Sequence, residues 1–348
     1  MKKRTLGRSD LVVSEFCLGS MTWGSQNTMD EGHAQIDCAL DHGMNFIDTA
    51  ELYPTTPQSP GTVGQTELII GEWFARTGRR SEVILASKIV GPGNSTVRPP
   101  KTGPISPETL RVALEASLRK LKTDYIDLYQ LHWPNRGSYH FRQNWNFDPS
   151  GQPKDQRAEF REILETIAGF VAEGKIRHFG LSNESCWGAA VWLEVAEAHG
   201  LPRVVSIQNE YNLLCRHFDL DLAELSHQED VGLLAYSPLA AGLLTGKYAG
   251  SAVPEGSRAS INPTLHHRRT EQAEAATEAY AALARAHGLE PAHLALAFCA
   301  SRPFMGSVIL GATSVEQLAT DIAAAEITLT DDVRSGIEEI RRTYPMPM

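Results

Sequence analysis

Tyr125-Ile126-Asp127-Leu128-Tyr129-Gln130-Leu131-His132 is a mostly apolar run that ends on a titratable side chain. Two earlier runs do the same, Met44-Asn45-Phe46-Ile47-Asp48 and Val83-Ile84-Leu85-Ala86-Ser87-Lys88. Side chains alternate across a strand with a period of two. That period puts His132 on one face with Ile126, Leu128 and Gln130, Lys88 with Ile84 and Ala86, and Asp48 with Phe46. Apolar strands that repeatedly terminate in chemistry describe a parallel sheet presenting a site at its C-terminal edge.

Outward from these runs, strand and helix patterns alternate eight times. Strands are expected at 15–19, 44–48, 83–89, 125–132, 176–182, 204–209, 232–237 and 307–310. Helices are expected at 30–42, 64–77, 106–121, 157–173, 185–199, 219–229, 272–287 and 314–325, with more at 290–301 and 330–342. Ser106-Pro107-Glu108 sets a cap before a proline at the first helical position. Gly43, Gly78, Gly174 and Gly200 are placed to close helices. The pattern predicts an α/β fold, a single (β/α)8 TIM barrel over residues 1–348, opened by a short N-terminal β-hairpin; a doubly wound sheet is the rival. Helix-to-strand connections are short, whereas the strand-to-helix segments 49–63, 90–105, 133–156 and 238–271 are long. The surplus therefore falls at the C-terminal face, where barrels carry their sites; the Pro- and Gly-rich stretch 91–104 reads as a rim loop.

Composition narrows the partners. A net charge of −10 argues against nucleic acid and anionic membrane. Five scattered cysteines read as reduced thiols, and the absence of a long apolar run or an apolar leader points to a cytoplasmic protein without a membrane span.

An interior lysine beside an interior aspartate is costly unless the two pair, so Lys88 and Asp48 are expected to form an ion pair at the barrel mouth. Tyr53, five residues past Asp48, can fold back over the pair. A neighbouring cation is expected to pull the phenol below its ordinary value of about 10 and tune it as a general acid. His132 would hold the substrate oxygen or assist proton transfer. The chemistry that suits Asp48, Tyr53, Lys88 and His132 is carbonyl reduction. A Schiff-base lyase using Lys88 is a weaker alternative.

The chain resembles the aldo-keto reductases. The resemblance runs from Leu6-Gly7-Arg8-Ser9 to Gly311-Ala312-Thr313-Ser314. It is carried by Asn45-Phe46-Ile47-Asp48-Thr49-Ala50-Glu51-Leu52-Tyr53, Ser87-Lys88, the Asp124–Pro134 run, Gly180-Leu181-Ser182-Asn183 and Tyr236-Ser237-Pro238-Leu239. Within the family it resembles the bacterial Tas-type branch, related to the potassium-channel β subunits. The family's Asp, Tyr, Lys and His tetrad maps onto Asp48, Tyr53, Lys88 and His132. The channel-subunit branch often lacks the histidine, so its presence favours an enzyme over an NADPH-binding redox sensor.

No G-x-G-x-x-G opens a helix, and Gly242-Leu243-Leu244-Thr245-Gly246-Lys247-Tyr248 is one residue short of a P-loop. Barrels bind phosphate with the loops after strands seven and eight. Ser237, Pro238, Leu239 and Gly242 offer one backbone wrap; Gly311, Thr313 and the Ser314/Gln317 capping box offer the helix terminus. The resemblance makes Ser182, Asn183, Gln208 and Tyr236 the nicotinamide contacts, with Tyr236 stacked on the ring. Lys247 and Arg258 are the cations expected at a 2′-phosphate, which implies NADP(H). Asp321 stands where relatives usually have asparagine near adenine.

Trp23 and Trp133 are expected to wall the substrate pocket. Tyr139, Phe141, Trp145 and Phe147 give the 133–156 loop enough aromatic surface to lid a site or meet a neighbouring subunit, which leaves a homo-oligomer open. His266-His267-Arg268-Arg269 has no ligand-spaced acid or cysteine, so it reads as a solvated loop and no metal is expected. The expected partner is a small-molecule carbonyl substrate.

Overall fold

The protein is described by a computed structural model covering residues 1–97 and 103–348; within the 91–104 stretch, residues 98–102 lie outside the described residues. Strands β1 (Lys3–Thr5) and β2 (Val12–Ser14) form an antiparallel hairpin. The remaining strands are β3 (Phe16–Gly19), β4 (Phe46–Asp48), β5 (Ile84–Ile89), β6 (Ile126–Leu131), β7 (Ile176–Ser182), β8 (Val204–Glu210), β9 (Gly232–Tyr236) and β10 (Met305–Leu310). All eight pair in parallel and close into one barrel in chain order, β10 meeting β3. The (β/α)8 barrel expected from the alternation is therefore the fold, with the hairpin below it.

Around the barrel run α1 (Met29–Asp41), α2 (Gln65–Thr77), α3 (Pro107–Leu121), α4 (Arg157–Ala172), α5 (Cys186–His199), α6 (Asp221–Glu229), a single turn α7 (Arg258–Ile261), α8 (Glu271–Ala286), α9 (Pro291–Ala300), α10 (Val315–Ile322) and α11 (Asp331–Thr343). Local chemistry sets their ends. Ser106 caps α3 in a reciprocal capping box with Thr109, with Pro107 as the first helical residue. Gly78 and Gly200 close α2 and α5 at φ 68° and 62°, a left-handed conformation that costs glycine nothing. Among the described residues no helix is long and apolar enough to cross a membrane.

The period-two reading located the barrel interior. Phe46, Ala86 and Leu128 pack inward with Cys17, Val205, Leu234 and Ile309, and the half-buried Ile84 joins them. Leu6, Leu11 and Val13 from the hairpin plug the N-terminal end of this interior cluster. Outward-facing strand residues such as Ile47, Leu85 and Tyr129 pack with the helices in the larger core cluster. With both faces covered, these strands are buried along nearly their whole length, as a parallel sheet requires.

Some boundaries moved. β10 begins two residues early, at Met305, because a register shift against β9 between Met305 and Ser307 lets the strand start sooner. The last helix of the eightfold alternation stops at Ile322 and tightens into a 3-10 turn, Ala323–Glu326. The turn α7 carries no hydrophobic periodicity and was absent from the sequence pattern.

Candidate active site

Asp48 ends β4, Lys88 lies one residue from the end of β5, and His132 directly follows β6. Adjacent parallel strands therefore bring three titratable groups to one mouth. Lys88 is fully buried, and its ammonium donates to Asp48 Oδ2 and to the Thr49 carbonyl, both at 2.7 Å. Gln208 Nε2 donates to the other aspartate oxygen at 2.8 Å, so both carboxylate oxygens are used. Burial pulls the Lys88 ammonium below its ordinary value while Asp48 opposes that drop. This is the ion pair expected from spacing.

Tyr53 folds back over the pair, with Lys88 Nζ 4.9 Å from its ring centroid and the His132 ring 5.8 Å away, edge-on at 73°. The expected lowering of its phenol is corrected: burial and the Asp48 charge push Tyr53 well above its ordinary value, and only Arg258 pulls it down. The reason is local. Asp48 neutralises Lys88, whose two hydrogen bonds go to Asp48 and Thr49, and all three side chains are buried. A phenol held protonated is the form a general acid needs. Burial and Lys88 together drive His132 well below its ordinary value, so its imidazole is neutral, and Nδ1 is buried with no hydrogen-bond partner among the described residues.

A polar chain runs from this cluster along the strand ends. Asn183 Nδ2 donates to the His132 carbonyl at 2.9 Å and to Ser182 Oγ at 3.1 Å; the Tyr236 hydroxyl donates to Asn183 Oδ1 at 2.7 Å. Ser182, Asn183, Gln208 and Tyr236 are thus brought together beside Asp48 and His132.

The loop after β9 turns tightly. Ser237 is at φ 52° and Gly242 at φ 95°, and a Cβ on Gly242 would sit 2.8 Å from Lys247 Cε. The lysine's flexible end could move aside, but a φ of 95° suits glycine alone without strain. Pro238 and Leu239 form the start of the same wrap, ahead of the 3-10 turn Ala240–Thr245. After β10, Gly311 and Thr313 lead into α10, whose Ser314 accepts from Gln317 N at 3.2 Å. The capping box is only half made: the Gln317 side chain accepts from Thr313 N and Oγ1 instead of reaching Ser314 N. Lys247 is exposed, Arg258 is half-buried, and among the described residues neither makes an ion pair. Among the described residues Arg258 Nε is buried without a hydrogen-bond partner, and burial, with Arg268 nearby, lowers Arg258 to about 10. Asp321, on α10, is buried with its carboxyl pushed up to about 6 by burial, against the pull of His293 and Lys247.

Two aromatic expectations separate. Trp133 leans on His132 at 5.0 Å, donates from Nε1 to the Pro92 carbonyl at 3.0 Å, and packs against the cluster of Ala50, Leu52, Tyr53 and Val90. Trp23 does not face the site. It is fully buried against Gly32, and its Nε1 donates to Gln35 Oε1 on α1, so it belongs to the helix-facing core. Met21, two residues earlier, packs instead against the cluster of Ala50, Leu52, Tyr53 and Val90.

The solvated-loop reading of 266–269 holds for His266 and His267, which are exposed, and is corrected for the two arginines. Arg268 is 9% exposed and makes a two-pronged pair with Glu210, while Arg269 pairs with Glu274. Glu210 was missed, although it ends β8 on a titratable group as the other strand ends do.

An all-parallel eight-stranded barrel whose mouth holds a buried lysine–aspartate pair, a protonated phenol and a neutral imidazole is the layout of a barrel enzyme for small molecules. The profile of the Aldo/keto reductase family matches residues 15–342. Protein tas of Escherichia coli K12 is 41% identical over the whole chain and 99% of that protein. The uncharacterized oxidoreductase YrpG of Bacillus subtilis is 33% identical over the whole chain and 97% of its own length. A putative voltage-gated potassium channel subunit beta of Schizosaccharomyces pombe is 31% identical over 99% of the chain and 94% of that protein. The chain belongs to the aldo/keto reductase family, a family of oxidoreductases.

Proposed function

We propose that this protein is an NADP(H)-dependent reductase that converts aldehydes or ketones to alcohols, with residues 1–348 acting as one catalytic domain. The observation that carries the reading is the convergence of Tyr53, the Lys88–Asp48 pair and His132 on one buried mouth.

The residues present fit a phosphorylated dinucleotide. Among the described residues Arg258 has a buried nitrogen without a hydrogen-bond partner, Lys247 is exposed and makes no ion pair, and the N-terminus of α10 offers amides to a phosphate. Lys247 and Arg258 would hold a 2′-phosphate; Ser237, Pro238, Leu239, Gly242, Gly311, Thr313 and Gln317 would wrap the phosphates and ribose. Ser182, Asn183 and Gln208 would hold a carboxamide, Tyr236 would stack on the ring, and Asp321 would face the adenine end. When bound, the nicotinamide supplies the hydride.

The chain's own residues do the rest. His132, neutral, orients the carbonyl oxygen toward the phenol. Tyr53 donates its proton to that oxygen as negative charge develops; an alkoxide is far more basic than a phenolate, so even a raised phenol is acid enough. The phenolate left behind lies beside the Lys88 and Arg258 cations, and Asp48 holds Lys88 in place through both states. Trp133 and Met21 wall the carbonyl pocket. A Schiff-base role for Lys88 is disfavoured because its ammonium is fully buried and committed to two acceptors.

The test is NADPH oxidation at 340 nm by wild type and Tyr53→Phe over a panel of aromatic aldehydes and dicarbonyls. Wild type should consume NADPH with substrate, and Tyr53→Phe should lose at least about 100-fold in kcat, the size of a general-acid contribution, while binding NADPH as before. Unchanged turnover in Tyr53→Phe would sink the assignment. Saturable NADPH binding with no turnover on any carbonyl would move the reading to a redox sensor.

A further inference from the structure

Glu210 sits at the end of β8, buried, and takes two arginines from two different rim loops. Arg268 donates from Nε to Oε1 and from Nη2 to Oε2, both at 2.9 Å. The Arg142 guanidinium pairs with Oε2 from the other side. Arg268 belongs to the long segment after β9 that also carries Gly242, Lys247 and Arg258. Arg142 belongs to the 133–156 loop, whose Phe141 ring stands edge-on to Trp133 at 5.9 Å. One carboxylate therefore joins the segment proposed to hold the cofactor to the loop beside the carbonyl pocket.

The backbone approaches Glu210 under strain from both sides. Phe141 and Arg142 have φ 57° and 67°; Leu265, His266 and His267, directly before Arg268, have φ 50°, 57° and 62°. None of the five is glycine, and side chains with a Cβ adopt this left-handed conformation only where the surroundings enforce it. Burial by itself would raise the Glu210 carboxyl, yet Arg268 and Arg142 outweigh it and hold it below the usual range. A buried ion cluster stabilises a fold little better than apolar packing would, so what it secures here is position. Glu210 is also tied to the site: it lies in register with Tyr236, whose hydroxyl bonds Asn183, whose amide in turn bonds the His132 carbonyl.

We infer that Arg142, Glu210 and Arg268 form a latch that couples the cofactor-side loop to the carbonyl-side loop, so that NADPH binding orders both together. The inference rests on the reductase reading. Arg142 is then a positioning residue that acts through Glu210, and with the two loops ordering together its loss weakens NADPH binding.

Hydrogen-exchange mass spectrometry with and without NADPH tests it, paired with NADPH titration by fluorescence. In wild type, NADPH should slow exchange in both 257–268 and 137–147. In Arg142→Met, which leaves Glu210 still paired with Arg268, NADPH should slow exchange in 257–268 alone, and its Kd should rise at least fivefold, the low end of ordinary coupling. Glu210→Gln should speed exchange in both segments before NADPH is added. Protection of 137–147 that persists in Arg142→Met with Kd within twofold of wild type would overturn the latch while leaving the reductase reading intact. A wild type that binds no NADPH would overturn both.

Discussion

Replacing Lys88 with methionine keeps most of the side-chain volume and removes one charge from a fully buried pair. Asp48, 2% exposed, is then left, among the described residues, with Gln208 Nε2 at 2.8 Å as its side-chain donor. Breaking a buried pair from one side costs about 3–5 kcal/mol, because the surviving charge stays desolvated without its partner. An unfolding entropy of roughly 2.1 cal/mol/K per residue gives about 0.7 kcal/mol/K for the 348-residue chain, so the expected fall in Tm is about 4–7 °C. Differential scanning calorimetry of Lys88→Met, Asp48→Asn and the double variant reads this directly. Removing both charges should recover at least about 2 kcal/mol relative to the sum of the single losses, since no unpaired charge then remains. The deficit should also be nearly the same at low and at high salt, because a pair this deep is poorly screened. A Lys88→Met midpoint within about 1 °C of wild type, or strictly additive single losses, would refute the claim that this pair is a coupled buried ion pair.

Other expectations concern pH and the cofactor. His140 is buried, which lowers it to about 4. Below its ordinary value near 6.5 the unfolded chain takes a proton that the native state refuses, so stability falls as pH drops by about 1.4 kcal/mol per unit. His140→Gln should flatten the Tm-versus-pH curve by that slope between pH 6 and 4.5; an unchanged curve would mean the imidazole is solvated. Asp321 has the opposite sense, because burial lifts its carboxyl to about 6. The native state then holds a proton that the unfolded state has released, and stability is lost as pH rises through about 4 to 6, amounting to about 3 kcal/mol by pH 7. Asp321→Asn should raise Tm by about 4 °C at pH 7.5 with the gain vanishing near pH 4, and should tighten NADPH at pH 7.5 by removing a charge that repels phosphate. A gain that persists undiminished at pH 4 would assign the effect to packing.

The barrel was legible because parallel strands covered on both faces must be apolar and must alternate with helices. Asp48, Lys88 and His132 stood out because a titratable group at the end of such a run has nowhere to go but the mouth. The period of two identified Phe46, Ala86 and Leu128 as interior residues before any neighbour was known. Helix caps at Ser106, Gly78 and Gly200 are local backbone chemistry and needed no fold at all.

What the chain by itself left undecided is what depends on residues distant in sequence. The phenol of Tyr53 is raised by its burial and by the Asp48 charge, while Asp48 also pairs with Lys88, all facts of three-dimensional neighbourhood. Trp23 turned to Gln35 and Gly32 rather than the pocket, since the backbone after β3 points that side chain at α1, while Met21 packs against the cluster that holds Tyr53. Arg268 looked solvated in its basic run and is buried, because its partner Glu210 lies 58 residues away. Sequence determines the period, the caps and the apolar faces, all of which act within a few residues. Charge pairing and desolvation act through space: Lys88 and Asp48 could be matched because both end neighbouring strands, whereas the pairing of Arg268 with Glu210 was settled only when the barrel closed.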